Sequence, residues 1–429
     1  MGNKVTPDDR FMFVGIIFFV LGLGTLLPWN FFITAIPFFE NRLNETHRLS
    51  GNGSESGREE WHFGNWLSLL AMLPLLLFSC LNSILYTRVP ERVRIAGSLF
   101  LIFSLFLVTV ILVKFRLSPS VFFAVVMVII WFINSSSAVL QGSLFGLVGQ
   151  LPARYSSLFM SGQGVAGIFA ALASIIARAS DLDEETTALG YFVTPCLVIL
   201  ITIVLYSLLS RLEFAQFHFK NNFLSDYQLN PEHEKTMMVN GTGPKVSIEP
   251  PESERETANV IKVFKKIWVM ALSVCLIFTV TLSVFPAVTS AVSEGNWGGY
   301  FTTVCCFLLF NVMDWGGRSA TAYVMWPKKD SPVLPALVLL RVAFIPLFML
   351  CDVKPRSYLP VVFGSDVWYI GFMILFALSN GYLVTLCMCY APKKVSPKNS
   401  ETAGAVMAFF LSLGLALGAA LSFFIRVLI

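Results

Sequence analysis

The strongest constraint on this chain is a series of long apolar segments that carry few charges. Apolar windows of about 20 residues, the length with which an α-helix crosses a bilayer, recur eleven times. They lie over residues 11–36, 63–87, 92–113, 119–147, 155–177, 188–210, 267–291, 297–325, 332–351, 367–391 and 402–425. With 56% hydrophobic and 13% charged residues, the composition excludes an ordinary soluble domain. We therefore predict an all-α polytopic membrane protein of eleven transmembrane helices.

Basic residues predict how these helices are oriented. If residues 1–10 are cytosolic, the cytosolic loops hold about twice as many Lys and Arg residues as the extracellular loops, the bias known for inserted helices. The extracellular loop 37–62 then carries glycosylation sequons at Asn44 and Asn52. The first segment is too long for a cleavable signal peptide, so it counts as a span. An odd number of spans places the C-terminus outside, and the absence of a lysosomal dileucine signal favours the plasma membrane.

The longest polar stretch, residues 211–266, divides the spans into six and five. It contains acidic and basic residues, Pro250 and Pro251, and little apolar periodicity, which is typical of a flexible cytosolic linker. We predict a six-helix bundle over residues 11–210 and a five-helix bundle over residues 267–429. Two bundles joined in this way indicate a two-lobed, major-facilitator-like transporter whose site lies between the lobes.

Several reactive groups are missing from the spans, and their absence argues against several classes of function. There is no Walker A sequence, all four histidines lie in polar loops, and Asp314 is the only acidic residue well inside a span. Ion-coupled carriers usually bind their driving ion through several intramembrane ionisable groups, and an intramembrane hydrolase needs an acid–base or metal set. The net charge of +4 resides in the loops and is no sign of nucleic-acid binding. We expect no enzyme activity, metal or cofactor, and the sequence indicates downhill movement of an uncharged polar solute.

Charged and amide side chains inside the spans are the first candidates for a solute site. Asp314 and Arg318 stand four residues apart in "NVMDWGGRS", on one helical face, so they can pair. Because intramembrane charges are costly, we interpret the pair as functional; the alternative is an ion pair that only joins two helices. The amide of Gln141 offers a donor and an acceptor, as a nucleobase edge does. A hydrogen bond between helices is the alternative for Gln141.

Two further features concern helix shape and packing. Pro28 removes a backbone hydrogen bond, so the first span should bend there and could direct Trp29 inward; the alternative is a Trp at the membrane interface. The string "GQGVAG", residues 162–167, matches a dinucleotide-binding pattern but follows no strand. We predict that its glycines, like Gly414 and Gly418, allow close helix packing.

Several long strings resemble one known family. They are "LGLGTLLPWNFF", "LQGSLFG", "SGQGVAGIFA", "FNVMDWGGRS", "SNGYLVTLCM" and "ETAGAVMAFFLSLGLALGA". Together they are similar to the equilibrative nucleoside transporter family, solute carrier family 29, over nearly all the chain except the two long polar loops. Within that family, these sequence strings are most similar to those of the type 2 and type 1 members. The resemblance implies facilitated, sodium-independent diffusion of nucleosides across the bilayer, with nucleobases as a further candidate class and no obligate protein partner.

The resemblance also implies which residues bind and gate the solute. The substrate-binding positions are Leu26, Trp29, Met72, Leu75, Gln141, Asp314, Arg318 and Leu415. The extracellular constriction is expected at Ile33, Pro286, Phe307 and Asn311. Arg94 and Glu401 begin spans at the cytosolic surface in different bundles, which predicts a cytosolic gate; the alternative is a pair of ordinary interfacial charges. Two other functions stay open: a carrier of another neutral solute such as a sugar, and a membrane receptor without flux.

Overall fold

The computed structural model describes residues 7–49, 63–85, 88–115, 117–180, 183–219, 252–292, 300–356 and 358–429. The helices before the central polar stretch are α1 (Phe13–Thr34), α2 (Ile36–Leu49), α3 (Phe63–Leu85), α4 (Glu91–Lys114), α5 (Pro119–Gly149), α6 (Ala153–Ala179) and α7 (Glu184–Leu209), followed by a short helix, 213–219. The helices after it are α8 (Glu252–Val284), α9 (Leu309–Ala320) with the π-helical segment Thr302–Leu308 before it, α10 (Val333–Leu340), α11 (Phe344–Met349), α12 (Asp366–Tyr390) and α13 (Ser400–Leu428).

The described residues form helices with only isolated β-bridges, which confirms the all-helical class. Eight helices in this part of the chain are long and apolar enough to cross a membrane. Of the remaining predicted spans, 63–87 coincides with the continuous helix α3, whereas 297–325 and 332–351 coincide with helices that are shorter or interrupted. In 297–325 the polar side chains of Asp314 and Arg318 lower the hydropathy, and in 332–351 the turn Arg341–Ala343 separates α10 from α11. The count of eleven spans stays a prediction.

The structure corrects the boundary of the predicted linker 211–266. Helix α8 begins at Glu252, well before the predicted span start at residue 267. The sequence analysis found little apolar periodicity here, but Val263, Phe264 and Ile267 have helical spacing. Val263 and Ile267 are buried, and the Phe264 ring stacks on Phe410 with ring centroids 5.2 Å apart. Because this stripe packs on α13, the helix extends into the segment that we predicted to be flexible.

The loop predicted over residues 37–62 also begins as a helix. Helix α2 continues from Ile36 to Leu49, so the backbone of the Asn44 sequon is helical. The second sequon, at Asn52, lies outside the described residues.

The closest helix contacts involve glycines. A Cβ atom at Gly162 would lie 1.9 Å from a backbone oxygen of α1, and one at Gly22 would lie 2.0 Å from a backbone oxygen of α6. Cβ atoms at Gly414 and Gly418 would lie 2.4 and 2.7 Å from backbone oxygens of α8. Only a residue without a side chain permits such approach, so the predicted packing role of these glycines is confirmed.

Helices from before and after the central polar stretch are in direct contact. Helix α13 packs on α3 and α5, and α9 packs on α6. We call the side of this assembly on which α1 and α6 end the outer side, and the opposite side the inner side. Between these contacts the helices leave a space near the middle of the assembly, and this space holds the candidate site.

Candidate functional site

A cavity of about 460 Å³ lies among helices α1, α3, α5, α6, α8, α9, α12 and α13. Its volume falls in the range of about 300–1,000 Å³ that is usual for small-molecule sites. The lining reaches the outer ends of several helices, at Pro37, Ser174 and Thr302. Within the described ranges no cluster of three metal-ligating side chains occurs. The cavity therefore suits a small organic solute that arrives from the outer side.

The structure places every predicted substrate-binding residue around this one cavity, together with every residue of the predicted extracellular constriction. They are Leu26, Trp29, Met72, Leu75, Gln141, Asp314, Arg318 and Leu415, with Ile33, Pro286, Phe307 and Asn311. Their side chains come from six helical segments and, for Pro286, from the turn that follows α8. Their common location is observed, whereas their roles in binding and gating stay predictions.

The apolar wall of the cavity includes Trp29, which follows the buried Pro28 inside α1. The neighbouring Asn30 also lines the cavity, but its amide nitrogen donates to the backbone oxygen of Leu26 at 2.8 Å. This hydrogen bond engages the donor of Asn30 within its own helix. Trp29 thus lines the cavity beside an amide of which one N–H is already engaged.

Gln141 stands on the opposite wall, on α5, and is 8% exposed. Its side-chain amide has no hydrogen-bond partner among the described residues, so the helix-to-helix bond that we considered as an alternative is not found there. The amide borders the cavity, where its donor and its acceptor are open to a hydrogen-bond partner. Gln141 is therefore available to a solute with a donor and an acceptor of its own.

Asp314 and Arg318 form the ion pair that their spacing predicted. The Nε atom of Arg318 donates to Oδ2 of Asp314 at 2.7 Å, and both side chains are nearly buried. The second carboxylate oxygen, Oδ1, accepts from Nδ2 of Asn380 at 2.6 Å. The pair is thus part of a larger network that joins α9 to α12.

Gln163 and Asn380 line the cavity, although the sequence analysis did not assign them. Gln163 donates to the Thr25 hydroxyl at 3.1 Å and accepts from Nη1 of Arg318 at 3.4 Å. Each amide stands beside a glycine in an apolar span, in the strings "SGQGVAG" and "SNGYL". A polar side chain next to a close-packing glycine was the signal that could have identified them.

Glycines also explain how Asn380 reaches Asp314. A Cβ atom at Gly381 would lie 1.9 Å from the backbone oxygen of Asp314, and one at Gly317 would lie 2.2 Å from that of Leu378. The backbones of α9 and α12 therefore touch at this level. Any larger residue at either glycine would separate the carboxylate from its amide donor.

The predicted cytosolic gate residues are in contact on the inner side. Nη2 of Arg94 on α4 forms an ion pair with Oε1 of Glu401 on α13. Nη1 of Arg94 also donates to Ser143 at 2.8 Å and to Asn82 at 3.1 Å. This guanidinium, which is buried, therefore connects three helices that precede the central polar stretch with one that follows it.

Other polar contacts cross the same boundary nearby. The Ser79 and Ser412 hydroxyls are 2.8 Å apart, and Ser83 donates to the backbone oxygen of Ala405 at 2.9 Å. The ammonium of Lys393, which follows α12, donates to backbone oxygens at the C-terminal end of α5. A cation is favourable at that helix end. The inner side is closed by these contacts, while the cavity extends toward the outer side.

Comparison with solved structures identifies the architecture. The chain resembles the human organic anion transporter MFSD10 with a TM-score of 0.55 and 15% identity, over 98% of this chain and 94% of that one. It resembles the Escherichia coli fucose:proton symporter FucP with a TM-score of 0.58 and 11% identity, over 96% and 91%. The fold is that of major facilitator transporters, as we predicted. The long apolar helices of the described residues, together with this fold, are those of an integral membrane protein.

Sequence comparison identifies the family. The family model described as "Nucleoside transporter" matches residues 126–427. Over the full length of both chains, the protein is 51% identical to human equilibrative nucleoside transporter 2 and 48% identical to human equilibrative nucleoside transporter 1. It is 34% identical to the rat type 3 transporter over 96% of this chain and 89% of that one. The chain belongs to the equilibrative nucleoside transporter family, whose members are transporters rather than enzymes.

Proposed function

We propose that the protein carries nucleosides, and nucleobases as a further class, down their concentration gradients in either direction and without sodium. The observation that carries this proposal is the chemistry of the cavity. Its lining combines the aromatic side chain of Trp29, the free amide of Gln141 and a buried carboxylate–guanidinium pair. The names of the relatives, two of them about half identical to this chain, support the same solute class.

Each part of a nucleoside has a matching group in the cavity. The base lies against Trp29 and the apolar residues, with its polar edge toward Gln141. The ribose hydroxyls donate to Asp314 and accept from Arg318. Nη2 of Arg318 has no partner among the described residues, so it is the free donor of that guanidinium. The apolar residues that complete the base site are Leu26, Met72, Leu75 and Leu415.

Transport proceeds by alternating access between two lobes, the helices of residues 11–210 and those of residues 267–429. In the described state the inner side is closed, so a solute enters from the outer side. Its release to the inner side requires Arg94 and Glu401 to separate. The outer passage then narrows at Ile33, Pro286, Phe307 and Asn311.

We also propose the orientation and location of the protein. The inner side is cytosolic, together with the N-terminus and the remaining linker between 213–219 and α8, and the C-terminus is extracellular. Asn44 and Asn52 are glycosylated on the extracellular side, and the protein resides in the plasma membrane. Digestion with a glycosidase in intact cells, with Asn44→Gln and Asn52→Gln variants as controls, tests this topology.

Uptake of radiolabelled uridine into proteoliposomes tests the function. We expect rapid equilibration that inosine inhibits and glucose does not. A Gln141→Leu variant should bind uridine more weakly, and Thr385→Val serves as a matched control, because its buried hydroxyl bonds only its own helix. Competition by glucose would indicate a sugar carrier, and the absence of flux would indicate a receptor.

A further inference from the structure

Arg341 is a buried cation that the proposed transport mechanism has not used. It begins the turn between α10 and α11, is 2% exposed, and does not line the cavity. Its guanidinium lies 4.9 Å from the ring centroid of Phe376 and donates to the backbone oxygen of that residue at 2.8 Å. In the described part of the chain no carboxylate lies within ion-pair distance of it. A buried charge without a counter-ion is costly in a membrane protein, so a functional reason is the first hypothesis.

Nη1 of Arg341 also donates to the Ser379 hydroxyl and Nε has no partner among the described residues, while Nη2 connects the guanidinium to residues that line the cavity. Nη2 donates to the Thr281 hydroxyl at 2.9 Å and to Oδ1 of Asn380 at 3.3 Å. On the other side of the same amide, Nδ2 of Asn380 donates to Oδ1 of Asp314 at 2.6 Å. Asn380 is thus a bridge between a cation and a carboxylate that do not touch.

The cation determines which way this amide faces. A guanidinium has only donors, so the oxygen of Asn380 has to face Arg341. The amide nitrogen then has to face Asp314. The Thr281 hydroxyl, which donates to the same oxygen at 2.7 Å, supports this orientation, so Asn380 is a donor to the carboxylate.

This arrangement holds Asp314 from two sides. Arg318 binds Oδ2 through Nε, and Asn380 binds Oδ1, so the carboxylate cannot rotate to accept two parallel hydrogen bonds from Arg318. Without Asn380 in this orientation, Asp314 would turn toward Arg318 and withdraw its acceptor from the cavity.

We propose that Arg341 and Asn380 are positioning residues that fix the Asp314 carboxylate for the hydroxyl groups of the sugar. The inference rests on the proposed nucleoside function. It assigns the preference for hydroxylated sugars to the relay of Arg341, Asn380 and Asp314 rather than to Asp314 alone. Arg341 acts entirely through Asn380, because it does not reach the solute.

The test compares uridine with 2′,3′-dideoxyuridine in proteoliposomes that contain the full-length protein. For wild type, we expect a lower KM for uridine. In Arg341→Met and in Asn380→Leu, that preference should fall about tenfold, the effect of one hydrogen bond to a charged group. In Arg341→Met, which alters no residue of the cavity lining, the KM for dideoxyuridine should stay unchanged. The double variant should be no worse than Asn380→Leu alone, and Arg341→Lys should restore part of the preference.

Folding is controlled in two ways. Arg341→Met removes a cation that has no carboxylate at ion-pair distance in the described part of the chain, so the change breaks no ion pair and leaves no carboxylate partner of Arg341 behind. Thr385→Val, on the same helix as Asn380, alters a buried hydroxyl outside the relay and should retain the full preference. If the Arg341 variants do not fold, Asn380→Leu and the nearly isosteric Thr281→Val decide the question.

The outcomes separate the two levels of the proposal. Wild-type protein that does not transport uridine would overturn the proposed function. Normal uridine transport with an undiminished preference in folded Asn380→Leu would overturn the relay alone. An equal loss of affinity for both permeants would also overturn it, because a purely structural role predicts that result.

Discussion

The inner and outer halves of the contact between helices α1–α7 and helices α8–α13 differ in their chemistry. On the inner side the halves meet through an ion pair, hydroxyl contacts and glycines that bring α5 and α13 together. On the outer side the lining includes Ile33, Pro286 and Phe307, and the helices leave a cavity. Polar contacts are directional and cooperative, whereas apolar contacts adapt to what they enclose. The inner closure needs one defined geometry, whereas the outer closure forms around variable solutes. The two closures therefore use different residues.

The largest effect should come from blocking the inner closure. A Cβ atom at Gly404 would lie 2.4 Å from the backbone nitrogen of Gly146, so Gly404→Leu should prevent α13 from meeting α5. Overpacking of this kind costs about 1–3 kcal/mol or more, and we expect uridine uptake to be nearly abolished. Gly371→Leu is the matched control, because a Cβ atom there meets nothing within 4 Å. Normal uptake by Gly404→Leu would show that the inner contact is dispensable.

The next largest effect concerns the ion pair of the inner closure. Arg94→Glu and Glu401→Arg each place like charges together at a largely buried site, and uptake should fall at least about tenfold in either variant. The double reversal restores an attractive pair and should recover part of the uptake. A double variant as inactive as the singles would argue that the pair has no role in closure.

A smaller effect is expected at the level of the cavity. Asp314→Asn keeps the shape of the side chain but removes the charge that accepts from ribose hydroxyls. The preference for uridine over 2′,3′-dideoxyuridine should shrink by about 1–3 kcal/mol, measured from the two KM values. Asn311→Asp serves as a comparison, since it adds a charge elsewhere in the lining. If well-folded Asp314→Asn keeps the full preference, the carboxylate has a structural role only.

On the outer side, an apolar replacement should matter less than any change in the inner closure. Phe307 packs edge-on against Phe285 with ring centroids 5.8 Å apart, and Phe307→Leu keeps this surface apolar. Such swaps usually cost less than about 1.5 kcal/mol, so uptake should fall only a few-fold. A loss as large as that of Arg94→Glu would remove the distinction between the two sides.

The smallest effect is expected from the ionic gradients. The permeant is neutral and the described cavity contains a balanced pair, Asp314 and Arg318, so no net charge crosses with the solute. Replacing sodium by choline, or collapsing the membrane potential, should leave the initial rate of uridine uptake unchanged. Accumulation of uridine above its external concentration under a sodium gradient would contradict this expectation.

Local spacing and family resemblance predicted much of the site, and the reasons differ from residue to residue. The pair of Asp314 and Arg318 follows from helical geometry, since residues four apart share a face. The placing of Trp29 and Gln141 around one cavity was predicted from the resemblance, because no spacing rule relates different helices. The contact of Asn380 with Asp314 spans 66 residues and depends on how closely two glycines let their helices approach. Nothing in the sequence analysis specified that distance.

In the fold, too, local sequence predicted some features, while others depend on packing between distant segments. Apolar segments predicted where the long helices lie, because crossing a bilayer sets their length and polarity. The early start of α8 was missed, since the amphipathic spacing of Val263, Phe264 and Ile267 is short and surrounded by charges. It becomes stable only when α13 provides the surface on which these residues pack.

The inner closure has a kinetic consequence for the transport cycle. Its contacts, which include the Arg94–Glu401 ion pair and Lys393 at the end of α5, are made between protein atoms alone. The empty protein therefore has to break them without help from a bound permeant. In the proposed cycle, by contrast, a bound nucleoside draws the outer walls together while these contacts separate. We therefore expect the return of the unloaded protein to be the slow step. Vesicles loaded with unlabelled uridine should consequently exchange it for labelled uridine faster than empty vesicles fill.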